Sequence, residues 1–131
     1  MTARFDLIGL VVADMPRSLA FYRRLGLSLG DEADGEPHVE ISLPGGLRLA
    51  WDSVATVQSF DTGWTPPSGG ARIGLAFACE SPADVDATFR GLVDAGYDGH
   101  LEPWDAPWGQ RYASVLDPDG NSVDLFAPLS E

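Results

Sequence analysis

One order of elements occurs twice along this chain, and it limits the fold more than any single motif: an apolar run, a capped helix, then three strand-like stretches. In the first copy, Phe5 to Ala13 is apolar and β-branched, and Asp14 with Pro16 supplies an N-cap and a first-turn proline. Leu19, Tyr22 and Leu25 keep one helical face apolar, leave Arg17, Arg23 and Arg24 to solvent, and run into a stop at Gly26. Strands are predicted at Leu27 to Gly30, His38 to Leu43 and Leu47 to Asp52, the last two joined by the turn Pro44-Gly45-Gly46. In the second copy, the run Ala71 to Cys79 precedes Ser81-Pro82-Ala83-Asp84, which combines an N-cap, an N1 proline and an acid three residues after the cap. Val85, Phe89, Leu92 and Val93 form the predicted buried face of that helix, Gly96 ends it, and strands are predicted at Tyr97 to Glu102, Arg111 to Leu116 and Ser122 to Ala127. Val54 to Gly70, with Pro66-Pro67-Ser68-Gly69-Gly70, reads as an irregular linker that carries Phe60 and Trp64. The prediction is an α+β chain of two tandem βαβββ modules, module one at about 4–53, the linker at 54–70 and module two at about 71–128, within a single 131-residue domain.

The last predicted hairpin holds the residue on which chemistry would centre. In Leu116-Asp117-Pro118-Asp119-Gly120-Asn121-Ser122-Val123-Asp124, Pro118 fixes φ, Asp117 and Asp119 can accept from nearby amides, and Gly120 suits a positive φ. Alternation along the following strand sets Val123 and Leu125 on one face and Asp124 on the other. Periodicity alone reads Asp124 as a solvated acid; a functional reading makes it the candidate catalytic or ligand-binding carboxylate.

The doubled βαβββ order, together with Asp-x-Pro-x-Ser-x-x-Phe-Tyr-x-x-Leu-Gly at Asp14 to Gly26 and Asp-Pro-Asp-Gly-Asn at Asp117 to Asn121, resembles the vicinal oxygen chelate superfamily. That group includes glyoxalase I, bleomycin-resistance proteins and extradiol dioxygenases, and the resemblance spans essentially the whole chain. It implies curved mixed sheets around a cleft, commonly completed in a homodimer. It does not fix an activity, because one fold hosts many chemistries and function belongs to the site.

In metal-dependent members of that family, ligands stand on the first and last strands of each module, typically His or Gln early and Glu late. The matching positions here are Leu7, Ala50, Gly74 and Asp124, so the resemblance supplies one possible ligand where a first-row metal needs about three or four. The neighbours Ile8, Ile73 and Leu75 are equally inert, and only Asp6 lies close by. His38 and His100 fall off these positions and are expected to be exposed or hydrogen-bonded. No metal and no cofactor are expected.

Aromatic residues stand where ligands are missing: Trp51, Phe60, Trp64, Trp104, Trp108 and Tyr112. Such rings bind planar or cationic groups through buried area and their quadrupole, and Gln110, Arg111 and Asp124 are the polar residues available to orient a ligand. Glu102 to Arg111 reads as a proline-stiffened loop displaying two indoles. The expectation is a metal-free binder like the bleomycin-resistance branch, sequestering an aromatic or cationic metabolite or antibiotic in a hydrophobic cleft. Its rivals are a glyoxalase- or dioxygenase-type enzyme with Asp124 on a metal, metal-free acid–base catalysis by Asp124 with Arg111 stabilising negative charge, and a purely structural or regulatory module.

Charge supports the choice of ligand class. A formal charge of −12 opposes nucleic acid and anionic membranes, which attract Lys and Arg through counterion release. The absence of a long apolar run and of a basic-then-apolar start predicts a cytoplasmic protein. Cys79, the one cysteine, has no disulfide partner and is expected in the core.

Overall fold

A computed structural model describes residues 2–130, which group into two compact units, each a sheet with its own helices. The first unit contains β1 (Leu7–Val12), α1 (Met15–Arg24), β2 (His38–Ser42), β3 (Arg48–Ser53) and the one-turn helix α2 (Val54–Gln58). Strand β3 is central, parallel to β1 and antiparallel to β2. Asp14 Oδ1 accepts from the Arg17 amide at 3.1 Å, which satisfies one of the donors a helix start leaves orphaned. Gly26 ends the helix at φ 96°, a conformation costly for a residue with a Cβ. Between these ends Met15, Ser18, Leu19, Phe21 and Tyr22 are buried, and Tyr22 meets Trp51 of β3 edge-to-face at 5.6 Å.

Three expectations for this unit need correction. Leu27 to Gly30 is unpaired and leads into a 3-10 turn at Asp31–Gly35, so the sheet has three strands. The cause is Arg23, which donates to the carbonyls of Leu29 at 2.8 Å and Gly30 at 2.7 Å and so occupies acceptors that a ladder would use. Arg23 also pairs with Asp34 at 2.9 Å and is therefore not a solvated residue. The segment read as irregular from Val54 begins with α2, because Ser53 Oγ caps it by accepting from the Thr56 amide at 3.1 Å.

The second unit follows the predicted order: β4 (Gly74–Ala78), α3 (Pro82–Asp94), β5 (Asp98–Ala106), β6 (Gln110–Leu116) and β7 (Ser122–Pro128). Its strands lie in the order β4-β7-β6-β5, with β4 and β7 parallel and the other neighbours antiparallel. Ser81 Oγ accepts from the Asp84 amide at 3.2 Å, and Pro82 occupies N1. Ser81→Ala is expected to lower stability by about 1 kcal/mol, measured as a shifted urea midpoint at unchanged slope. Helix α3 lies against β5, β6 and β7, and the alternate residues Ala113, Val115, Val123, Leu125 and Ala127 are buried with Val85, Phe89 and Leu92.

Here too the structure amends details. Val93, predicted on the buried face, is 40% exposed and packs beside Gly99 of β5. A Cβ at Gly99 would stand 2.8 Å from Phe89 Cζ and 2.9 Å from Val93 Cγ2, so Gly99→Ala is expected to destabilise by about 1–3 kcal/mol through overpacking, read in the same unfolding assay. Cys79 follows the end of β4 and is only half-buried; desolvation nonetheless raises its pKa, which disfavours the reactive thiolate. The predicted loop Glu102 to Arg111 is a hairpin, with β5 running to Ala106 and a turn at Pro107-Trp108-Gly109. Pro103 is accommodated because it falls in the register shift between Leu101 and Trp104, where its missing N–H breaks no regular ladder bond. Among the described residues no helix is long and apolar enough to cross a membrane.

Candidate functional site

The hairpin between β5 and β6 gathers three aromatic residues of the second unit, Trp104, Trp108 and Tyr112. Trp104 pairs with Tyr112 across the two strands, and Trp108 projects from the turn between them. The Trp108 ring meets Trp104 at 5.6 Å and Tyr112 at 5.3 Å, both edge-to-face, the arrangement that ring quadrupoles favour. Trp108 Nε1 donates to Gln110 Oε1 at 2.8 Å, which fixes the indole while leaving it 57% exposed. The period of two along β6 sets Gln110, Tyr112 and Ser114 on the face opposite α3.

Asp124 joins this face from β7. It pairs in register with Ser114 on one side and Ala76 on the other, and its Oδ2 accepts a short hydrogen bond from the Tyr112 hydroxyl. The carboxylate therefore is held, not simply solvated as strand periodicity suggested. The hydrogen bond to Asp124, aided by desolvation, pushes the Tyr112 pKa up to about 12, so the phenol remains a neutral donor through the physiological range. Among the described residues Asp124 Oδ1 meets only Ser122 Oγ, at 3.4 Å, a distance too long for a strong bond. Beside it on β4 stand Gly74, Ala76 and Ala78, and even a Cβ added at Gly74 would come no closer than 4.0 Å to Asp124 Oδ2. One carboxylate oxygen is thus available next to exposed rings and small side chains.

The other candidates lie elsewhere. Arg111 is on the α3 face, because it is one residue out of phase with Tyr112; it binds Asp86 on α3 at 2.9 and 3.2 Å and Asp105 at 3.0 Å. Its charge is spent on those two carboxylates and does not orient a ligand beside Asp124. Trp51 has 0% exposure and no ring surface to offer, since its place in the central strand turns it toward α1. Phe60, 75% exposed, and the half-buried Trp64 follow α2 in the first unit. His100 is exposed, as expected.

The first unit also carries a polar network that the motif reading missed. His38 Nδ1 lies 2.5 Å from Asp52 and Nε2 3.1 Å from Glu40; Arg48 bonds Glu40 at 2.9 Å and Asp6 at 2.6 Å. His38, Glu40, Arg48 and Asp52 share a sheet face with Ala50, which pairs with Glu40, and Leu7, which pairs with Arg48. The signal was in the turn: pairing around Gly45-Gly46 places residues whose numbers sum to ninety opposite one another, and that aligns His38 with Asp52.

The donor set does not fit a metal. Leu7, Ala50 and Gly74 have no side-chain donor, and Asp124 Oδ2 is taken by Tyr112. His38 points its two nitrogens at different carboxylates, and among the described residues no three His, Cys, Asp or Glu side chains converge on one point.

Comparison with known proteins agrees with the architecture. A glyoxalase/bleomycin resistance protein/dioxygenase family enzyme from Burkholderia phytofirmans PsJN superposes with TM-score 0.81 at 16% identity, over 97% of this chain and 100% of that one. A glyoxalase-related enzyme from Fulvimarina pelagi gives 0.78 at 23% identity, over 96% and 88%. A protein of unknown function from Agrobacterium tumefaciens str. C58 gives 0.71 at 27% identity, over 98% and 97%. No curated protein matches the chain. The sequence profile of the Glyoxalase/Bleomycin resistance protein/Dioxygenase superfamily matches residues 4–125, and the chain, with its two βα-containing sheets and its hairpin carboxylate, belongs to that superfamily.

Proposed function

We propose that this protein is a metal-free binder that sequesters a planar aromatic cation, in the manner of the bleomycin-resistance branch of its superfamily. The observation that carries the reading is the cluster of exposed Trp104 and Trp108 with half-buried Tyr112, sharing one sheet face with the half-open carboxylate of Asp124. The π faces of the rings attract cations, and Asp124 Oδ1 would accept from a ligand N–H. With Arg111 committed to Asp86 and Asp105, the charged residue left to orient a ligand at this face is an acid. A net charge of −12 adds a long-range field of the same sign.

Titration of intrinsic tryptophan fluorescence with quinone, glycopeptide and aminated aromatic compounds tests the reading. Saturable quenching is expected with the aminated aromatics, weaker at high salt because the screened charge pair contributes less. Flat titrations across the cationic compounds, or preference for anionic ones, would count against it.

A further inference from the structure

The polar network of the first unit does more than cover a sheet face. His38 and Asp52 are directly opposite on neighbouring strands, and the pairs that flank them, Pro37 with Ser53 and Leu43 with Leu47 further on, are the hydrogen-bonded ones. His38 and Asp52 therefore form a non-hydrogen-bonded pair, the type in which facing side chains approach most closely. Strand β2 is an edge strand, held in the sheet by β3 alone. Its start is also tied to α2, since Thr56 Oγ1 donates to the Pro37 carbonyl at 3.2 Å.

Carboxylates only accept hydrogen bonds, and a neutral imidazole has a single N–H to donate. Both contacts of His38, to Asp52 and to Glu40, can be hydrogen bonds only while the ring is protonated. We propose that His38 is a proton-operated latch: as the imidazolium it bonds Glu40 on its own strand and clamps edge strand β2 to β3 through a charge-assisted bond to Asp52, and on losing its proton it gives up the Glu40 bond, keeps only a weaker neutral bond to Asp52, and so loosens β2 together with the α2 turn pinned to it.

The charged groups facing the latch are Glu40 on β2, Asp52 and Arg48 on β3, and Asp6 before β1, with Arg4 beside Asp6 at 3.7 Å; α2 has no titratable residue. Glu40 is the partner released, because its contact is the longer one and Arg48 continues to hold it. The bond to Asp52, then that to Glu40, raises the His38 pKa above its ordinary 6.5. A raised folded-state pKa gives a stabilisation that is complete below the unfolded value and is lost as the pH rises through the raised one. The latch is closed below 6.5 and opens as the pH rises through the raised value. Glu40, lowered by His38 and Arg48, contributes in the opposite direction, losing its share only as the pH falls through its own depressed value.

NMR of the intact chain tests this. The expected results are a His38 imidazole titrating above 6.5, and protection of the Val39 and Ile41 amides, corrected for intrinsic exchange, falling several-fold across the same pH range. Asp52→Asn should move the imidazole pKa down, and His38→Gln, which keeps a donor but cannot titrate, should abolish the inflection in a folded protein. A pKa at or below 6.5, protection without an inflection, or an inflection that survives in His38→Gln would overturn the latch.

Discussion

Replacing Trp108 by alanine is expected to weaken binding of a planar aromatic cation by about 2 kcal/mol, roughly thirtyfold in Kd, without lowering stability by more than a few tenths of a kcal/mol. The two effects separate because the indole is 57% exposed and packs only edge-on, against Trp104 and Tyr112. Exposed aromatic anchors contribute little to folding and much to binding, since a ligand completes the burial that the fold leaves undone. Asp124→Asn should act differently. It keeps the shape and the Tyr112 partner but removes the charge, so affinity for a cation falls while that for a neutral aromatic of the same outline is nearly unchanged. Calorimetric titration of each variant with a matched cationic and neutral pair separates the ring contribution from the charge contribution.

Trp51→Ala, by contrast, should cost about 3–5 kcal/mol of stability, a large share of the roughly 5–15 kcal/mol typical of a domain. Its indole is fully buried in central strand β3 against Tyr22 of α1, and truncation would leave a cavity beside that ring. Trp51→Phe should cost much less. Among the described residues the Trp51 Nε1–H has no hydrogen-bond partner, so phenylalanine restores much of the volume and removes a buried donor that gained nothing on folding. Urea unfolding of the two variants checks the difference. A Trp51→Phe protein as unstable as Trp51→Ala would mean that the Nε1–H is satisfied after all.

Much of this was legible in the chain. Helix caps at Asp14 and Ser81 and turn glycines at Gly26, Gly45 and Gly120 are local chemistry, decided within a few residues, and each performs its predicted task. Strand alternation likewise set Asp124 apart from Val123 and Leu125. What the sequence hid depends on long-range partners. Arg23 suppresses a strand by bonding carbonyls six and seven residues away, and Arg111 leaves the candidate site because Asp86, twenty-five residues back, captures it. Trp51 shows the same limit: composition marks it as an aromatic, and only the register of β3 turns it into the core. His38 is exposed and hydrogen-bonded, as its place off the family positions predicts, and the hairpin pairing that brings it to Asp52 can be counted from Gly45-Gly46.

Cation binding at the Trp104–Trp108–Tyr112–Asp124 face without a metal can be decided by one titration. A planar aromatic amine that quenches the native protein is titrated in the presence of a strong chelator, then with zinc, nickel, manganese or iron(II) supplied, against both the native chain and Asp124→Asn. The expected result is the same affinity with chelator and with each metal, and a marked loss in Asp124→Asn. Binding that appears only when a divalent metal is supplied, or that ignores the loss of the Asp124 charge, would contradict it.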